Sequence, residues 1–324
     1  MTKVASTGML GLLLAVCLHT APAQALNNKS WVSSTGGGAT CTRALPCATF
    51  QAAHDQTNAG GEIGVVDSGD YSGSGLVINR AISIIAEGVD ATILSPGLGS
   101  AAITFSGSMI PTDVVTLQGL IIDGLGSGGI GISYPFGPSL VVKNCVIRNF
   151  KNASGSYGIA AQPNAAGRLT VTDTLLVNNG LGSTGAGIFI KPQPGGSLRV
   201  SLERVTVANN VFGIAADGTG STGGINMTIA NSVMSGNSQD GIIATTPGGG
   251  APIGVMVKNT RSVNNNIGIR SLGTGVTVRL SNSTVIGNGT GLSFSGGGAL
   301  LTFGNNEVEA NGSNGAFSGS VGLQ

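Results

Sequence analysis

The chain repeats itself, and the period limits what it can become. LVVKNCVIRN from Leu140 returns as LTVTDTLLVNN from Leu169, VSLERVTVANN from Val200, MTIANSVMSGN from Met227, VMVKNTRSVNN from Val255, VRLSNSTVIGN from Val278 and LTFGNNEVEAN from Leu301, about every 23 to 31 residues. A period of this length implies stacked units, each resting only on its neighbours. The unit reads Φ-x-Φ-x-N-x-x-Φ-x-x-N, where Φ is apolar, followed by a variable loop and a glycine-led restart. Alternation in Φ-x-Φ describes a strand with one buried face. Leu169 and Val171, Val200 and Leu202, Met227 and Ile229, and Val278 and Leu280 should point inward; Thr170, Ser201, Thr228, Arg279 and Thr302 should face solvent.

Asparagine tolerates left-handed backbone and bonds its own turn, so the fifth position marks a bend. It is Asn144, Asp173, Asn231, Asn259, Asn282 and Asn305, with Arg204 the exception. Stacked coil on coil, Asn144, Asn231, Asn259, Asn282 and Asn305 are expected to form a structural amide ladder. A second polar line falls at Asn179, Asn210, Asn237, Asn265, Asn288 and Asn311. After each loop a strand restarts at Gly158-Ile159, Gly187-Ile188, Gly213-Ile214, Gly241-Ile242, Gly268-Ile269 and Gly291-Leu292. Three short strands per coil, stacked in parallel, give an all-β, single-stranded right-handed parallel β-helix, since such crossovers are overwhelmingly right-handed. The L-x-x-L-x-L consensus of leucine-rich repeats and the calcium-binding G-G-x-G-x-D nonapeptide are both absent.

The Asn-turn repeats with glycine-led restarts resemble those of the pectin lyase-like superfamily. TFQAAHDQTNAGGEIGVVDSGDY, from Thr49 to Tyr71, is similar to that family's N-terminal cap, in which a short helix plugs the open end of the coil; Ala48 to Thr57 would be that helix. The C-x-R-x-x-P-C-x-T-F opening resembles secreted bacterial β-helix proteins of undefined activity. The resemblance covers nearly all of the chain after the leader and speaks to fold far more than to function. The expected organisation is a signal peptide over 1–25, a cap over 26–60, the β-helix over 61–317 and a tail over 318–324. The Gly/Ser-rich end offers little to cover the last coil, so end-to-end self-association is one expectation.

Lys3, the apolar run from Met9 to Leu18 and Ala23-Gln24-Ala25 read together as a secretory signal, placing the protein outside the cell or in the periplasm. Val16 is too large for the lipid-attachment box that Cys17 would otherwise suggest. No later stretch is apolar over the ~18 residues a membrane span needs. A net charge of +1, with 9% charged residues, gives no sign of the basic surface of a nucleic-acid binder. In an exported chain the close pair Cys41 and Cys47, in CTRALPC, reads as a disulfide; a metal site there lacks a nearby His or third Cys. Cys145 reads as a buried small hydrophobe.

In pectin lyase-like enzymes the substrate lies on the outer face of the strand that corresponds here to G-Φ-x-Φ. Three rows should point outward there: Tyr157, Ala186, Phe212, Asp240, Ile267 and Thr290; Ala160, Phe189, Ala215, Ile243, Arg270 and Ser293; and Gln162, Lys191, Asp217, Thr245, Leu272 and Ser295. The polygalacturonase arrangement of three aspartates, His-Gly and R-x-K is not present: SQDGIIA keeps Asp240 alone, and His54 belongs to the cap. Asp217 and Asp240 should lie about 14 Å apart, too far for a two-carboxylate hydrolase, and Asp240 and Arg270 about 8 Å apart.

Two readings of this face remain open. Tyr157, Phe189, Lys191, Phe212, Asp217 and Asp240 would contact an extracellular polysaccharide without classical glycosidase catalysis. Alternatively, a calcium-dependent lyase on uronate polymers would use Arg270 as base and Asp217 and Asp240 as Ca2+ ligands. Against both, the charges would serve only solubility and the loops before this face would cover the aromatics. A structural surface protein or adhesin is a third class.

Overall fold

The computed structural model describes residues 26–107, 109–152, 155–248 and 250–322. The signal-peptide reading of residues 1–25 lies outside these. The chain winds into a right-handed parallel β-helix with three faces: a sheet of 12 strands built from the Φ-x-Φ segments, one of 10 short strands and one of 9 glycine-led strands. Every strand joins the equivalent strand one coil away in parallel. The coil Ser197–Glu203, Thr206–Ala208, Phe212–Asp217 is representative. Leu198, Val200, Leu202, Val207, Ile214 and Ala216 all point inward and are buried, so each coil adds one layer to a continuous apolar column and no coil could bury its own core alone. Among the described residues, no helix is long and apolar enough to cross a membrane.

The bends follow the asparagine pattern with one correction. Asn144, Asp173, Arg204, Asn231, Asn259 and Asn282 all hold left-handed backbone, with φ between 47° and 51°. Asn305 does not. The last coil carries an extra residue, since Leu280 pairs with Thr302 but Thr284 with Glu307. Gly304 therefore takes the left-handed position (φ 84°), while Asn305 accepts the Asn282 amide on Oδ1 at 3.0 Å and donates from Nδ2 to Ser281 Oγ at 3.3 Å.

The solvent-facing line is also less uniform than expected. Asn259 bonds Asn231, and Asn282 bonds Asn259 at 3.2 Å. Above them Asn231 turns to Glu203 and Arg204 to Asp173. Asn144 shares the backbone but makes no bond of this kind among the described residues. The unbroken ladder is the second line. Asn179, Asn210, Asn237, Asn265 and Asn288 are 1–4% exposed. Each Oδ1 from Asn210 to Asn311 accepts both the backbone amide and the side-chain Nδ2 of the asparagine one coil before, at 2.8 to 3.2 Å. Burial makes these bonds obligatory, because a buried amide without partners is expensive.

At the N-terminal end a helix, Phe50–Asp55, is capped by Thr49, whose hydroxyl accepts the Ala52 amide at 3.2 Å. It is shorter than the expected 48–57 because Thr57 already opens the strand Thr57–Val65. Cys41 and Cys47 are bonded, with Cα atoms 4.7 Å apart. The solenoid also extends past its expected limits: Asn27–Val32, within the segment read as cap, pairs with Thr57–Val65, and Gly319–Ser320, within the tail, pairs with Leu301–Thr302. Neither carries the repeat's asparagine or restart glycine, so the pattern could not reveal them. Cys145 is buried, and burial pushes its thiol up to about 11, out of the reactive range.

Candidate functional site

The glycine-led sheet owes the close approach of its coils to its glycines. A Cβ on Gly213 would meet the Gly241 carbonyl oxygen at 2.4 Å, and one on Gly268 the Gly291 oxygen at 2.6 Å. Successive coils meet here at backbone contact, which pins the register of the residues that follow. The pairing is Tyr157 with Ala186, Ala160 with Phe189, Phe189 with Ala215, Ile243 with Arg270, and Asp217 with Thr245, so the three rows line up as the sequence indicated.

Two of the side-chain interactions on this face share one diagonal: a residue just before the glycine meets the residue two positions after the glycine of the next coil. Tyr157 stacks on Phe189, with ring centroids 4.7 Å apart and planes at 14°. The pair closes over Ala160 and Ala186, each 1% exposed, and both rings stay half-buried. Three coils further along, the equivalent diagonal holds an ion pair: Arg270 Nη2 donates to Asp240 Oδ1 at 2.8 Å. The coil spacing suggested a gap of about 8 Å; the reach of the arginine side chain closes it.

Asp240 has no exposed surface, while the Arg270 side chain keeps 28%. Burial raises the Asp240 carboxyl to about 6, and Arg270 pulls the other way without cancelling it. Asp240 Oδ2 and Arg270 Nε are buried without a hydrogen-bond partner, so the pair is under-satisfied. Lys191 and Asp217 form a separate pair at 2.7 Å, and Asp217 Oδ1 accepts the Thr219 amide at 2.8 Å. Beside this pair lies a groove of about 220 Å³ lined by Gln162, Lys191, Gln193 and Thr219 among others. Gln193 and Thr219 sit on loops, where no repeat marked them. Burial also raises the Tyr157 phenol, with Lys191 opposing the shift.

This geometry bears on two expectations about chemistry. Calcium takes six to eight oxygens. Asp217 and Asp240 do not share a site, and each already faces a cation of its own. Among the described residues no group of three or more His, Cys, Asp or Glu side chains is placed to hold an ion, so the residues present do not fit the expected Ca2+ site. Arg270, in turn, is held against the buried Asp240 side chain by a hydrogen bond of 2.8 Å. What the sheet does assemble is an aromatic stack, a polar groove and two ion pairs along one face.

No family model and no curated protein matches the chain. Solved structures of similar course include pectate lyase Pel9A, at TM-score 0.45 and 15% identity over 86% of this chain and 74% of that one. A second is ORF18 of Geobacillus virus E2, at TM-score 0.49 and 15% identity over 87% of this chain. A third is a rhamnogalacturonan lyase, at TM-score 0.43 and 13% identity over 83% and 82%. The chain spans only 60% of the phage protein's length. These likenesses concern the course of the chain and carry nothing about the site. The parallel β-helix is the architecture that the resemblance to the pectin lyase-like superfamily implies.

Proposed function

We propose that the glycine-led face binds a polysaccharide outside the cell and does so without cleaving it. The observation that carries this reading is the half-exposed Tyr157–Phe189 stack beside the groove lined by Gln162, Lys191, Gln193 and Thr219. Sugar rings offer C–H faces to aromatic carbon and hydroxyls to a polar rim, and a few polar groups around an apolar platform suit such a ligand. On the side away from Tyr157, Phe189 has in its row the small, partly exposed Ala215. The loops before the strand leave both aromatics partly open to solvent.

The lyase alternative requires a free base and a cation cage. With Arg270 committed to Asp240 and Asp217 to Lys191, this arrangement favours binding over catalysis. The test is a neutral and acidic glycan panel measured with a chelator present, at about 1 M salt, where the screening length falls to ~3 Å and stacking dominates. We expect binding that the chelator leaves intact and that Tyr157→Ala/Phe189→Ala abolishes. Binding unaffected by that double variant, or an unsaturated product in the acidic samples, would overturn the reading.

A further inference from the structure

The sheet of long strands carries a different surface. Its outward rows run Ser139, Arg168, Arg199, Asn226, Gly254, Thr277 and Val141, Thr170, Ser201, Thr228, Met256, Arg279. A third row adds Lys143, Thr172, Glu203, Ala230 and Lys258. Five of the chain's 15 Lys and Arg residues therefore lie on this stretch, at Lys143, Arg168, Arg199, Lys258 and Arg279, against one acid. That acid, Glu203, is occupied by Arg204 and Asn231.

Arg168 and Arg199 are direct cross-strand partners, about 4.8 Å apart. Like charges in that relation destabilise a sheet, and among the described residues neither guanidinium has a carboxylate within ion-pair distance. Between Arg199 and Arg279 the surface sinks into a groove of about 410 Å³, floored in part by Gly254 and lined by Asn226, Thr228 and Met256. A second depression between Arg168 and Arg199 continues it along the helix axis. Gly254 keeps the floor low: a Cβ there would meet only Asn226 Oδ1, at 3.3 Å.

From this juxtaposition of unneutralised arginines along an open, hydroxyl-lined trough we infer that the long-strand sheet is a second binding site, for a linear anionic polysaccharide bearing carboxylate or sulfate groups. The arginines would take the anions in forked hydrogen bonds, and the Ser, Thr and Asn positions would meet the polymer's hydroxyls. The rows hold no aromatic side chain on which bases could stack, which favours a polysaccharide over single-stranded nucleic acid. The site is on a different sheet from the Tyr157–Phe189 stack and does not depend on it.

The test measures binding of dextran sulfate, polygalacturonate, neutral dextran and single-stranded DNA in low salt to four proteins: wild type, Arg199→Gln/Arg279→Gln, the charge-matched Lys151→Gln/Arg261→Gln, and Gly254→Phe. We expect wild type to bind a charged polysaccharide and not neutral dextran, with affinity falling as salt rises. The arginine double variant should bind about tenfold or more weakly, the loss of one or two charge-assisted pairs. Gly254→Phe, which fills the trough and removes no charge, should also weaken binding, while the charge-matched variant should resemble wild type. Thermal melts check folding, and the arginine variant should melt no lower than wild type because it relieves repulsion. Equal binding by all four proteins, no binding by wild type, or DNA bound more tightly than the polysaccharides would each overturn the inference. Loss here with glycan binding at high salt intact would leave the glycine-led face untouched.

Discussion

The diagonal that holds Tyr157 on Phe189 holds Asp240 on Arg270 three coils later, so the ion pair occupies the place of an aromatic stack. The equivalence can be tested by writing one into the other. Arg270→Ala would strand Asp240 where it has no exposed surface. Breaking a buried pair from one side costs about 3–5 kcal/mol, and at pH 8 the carboxyl, at about 6 in the intact protein, would be forced either to ionise alone or to take up a proton. Asp240→Ala should cost less, about 1–2 kcal/mol, since Arg270 keeps 28% exposure and can turn to water. Asp240→Tyr/Arg270→Phe should be at least as stable as wild type. Replacing a buried pair by packed apolar groups is often neutral or stabilising by ~1–4 kcal/mol, a stacked pair adds about 0.5–1.5 kcal/mol, and the orphaned Oδ2 and Nε atoms disappear. Thermal melts at pH 8 on the four proteins of this cycle would show it, at roughly 2 °C per kcal/mol for a chain of this size. A double aromatic variant melting below either single alanine variant would refute the equivalence of the two diagonals.

Three further outcomes follow from the same geometry. Because the Asp240 carboxyl is raised in the folded state to about 6 from 3.8, the folded form binds that proton more tightly than the unfolded one. Its contribution is fully present below the unfolded value and is lost as pH rises through about 6, so stability should fall by about 2–3 kcal/mol between pH 4 and 7; Asp240→Asn should flatten that window in denaturant titrations. Asn237→Ala, in the buried ladder, should cost about 2–3 kcal/mol, because it strands the buried Asn210 backbone amide, which donates to Asn237 Oδ1, and removes one of the acceptors of the Asn210 side chain; Asn231→Ala, on the exposed line, should cost about 1 kcal/mol, and equal losses in the two melts would contradict the assignment of the ladders. Gly213→Ala should lower the melting temperature by several degrees, as its Cβ falls 2.4 Å from the Gly241 carbonyl oxygen; an unchanged melt would show that the coils can separate there.

The fold was legible because three sequence devices agree: alternation in Φ-x-Φ, asparagine at the left-handed bends, and glycine where coils touch. Their agreement also fixed the outward rows, since a one-residue slip would turn every inward side chain out. The interactions within the rows were not legible. Backbone spacing placed Asp240 and Arg270 about 8 Å apart and said nothing of an arginine reaching diagonally across a coil. Likewise the spacing kept Asp217 and Asp240 apart but did not indicate that each pairs with its own cation, Lys191 and Arg270. Asn305 misled because a single inserted residue moved the bend to Gly304. The arginine row of the long sheet was visible only in part: Arg279 was placed toward solvent, but the juxtaposition of Arg168 with Arg199 depends on register between coils 31 residues apart.

The most direct measurement is calorimetric titration of the protein with a glycan identified from the panel, at high salt with a chelator, for wild type and Tyr157→Ala/Phe189→Ala side by side, while absorbance of unsaturated uronate is followed in the same samples. We expect saturable heat for wild type, none for the double variant, and a flat absorbance trace. Heat that persists without the aromatic stack, or absorbance that climbs, would contradict a glycine-led face that holds polysaccharide by stacking and leaves it whole.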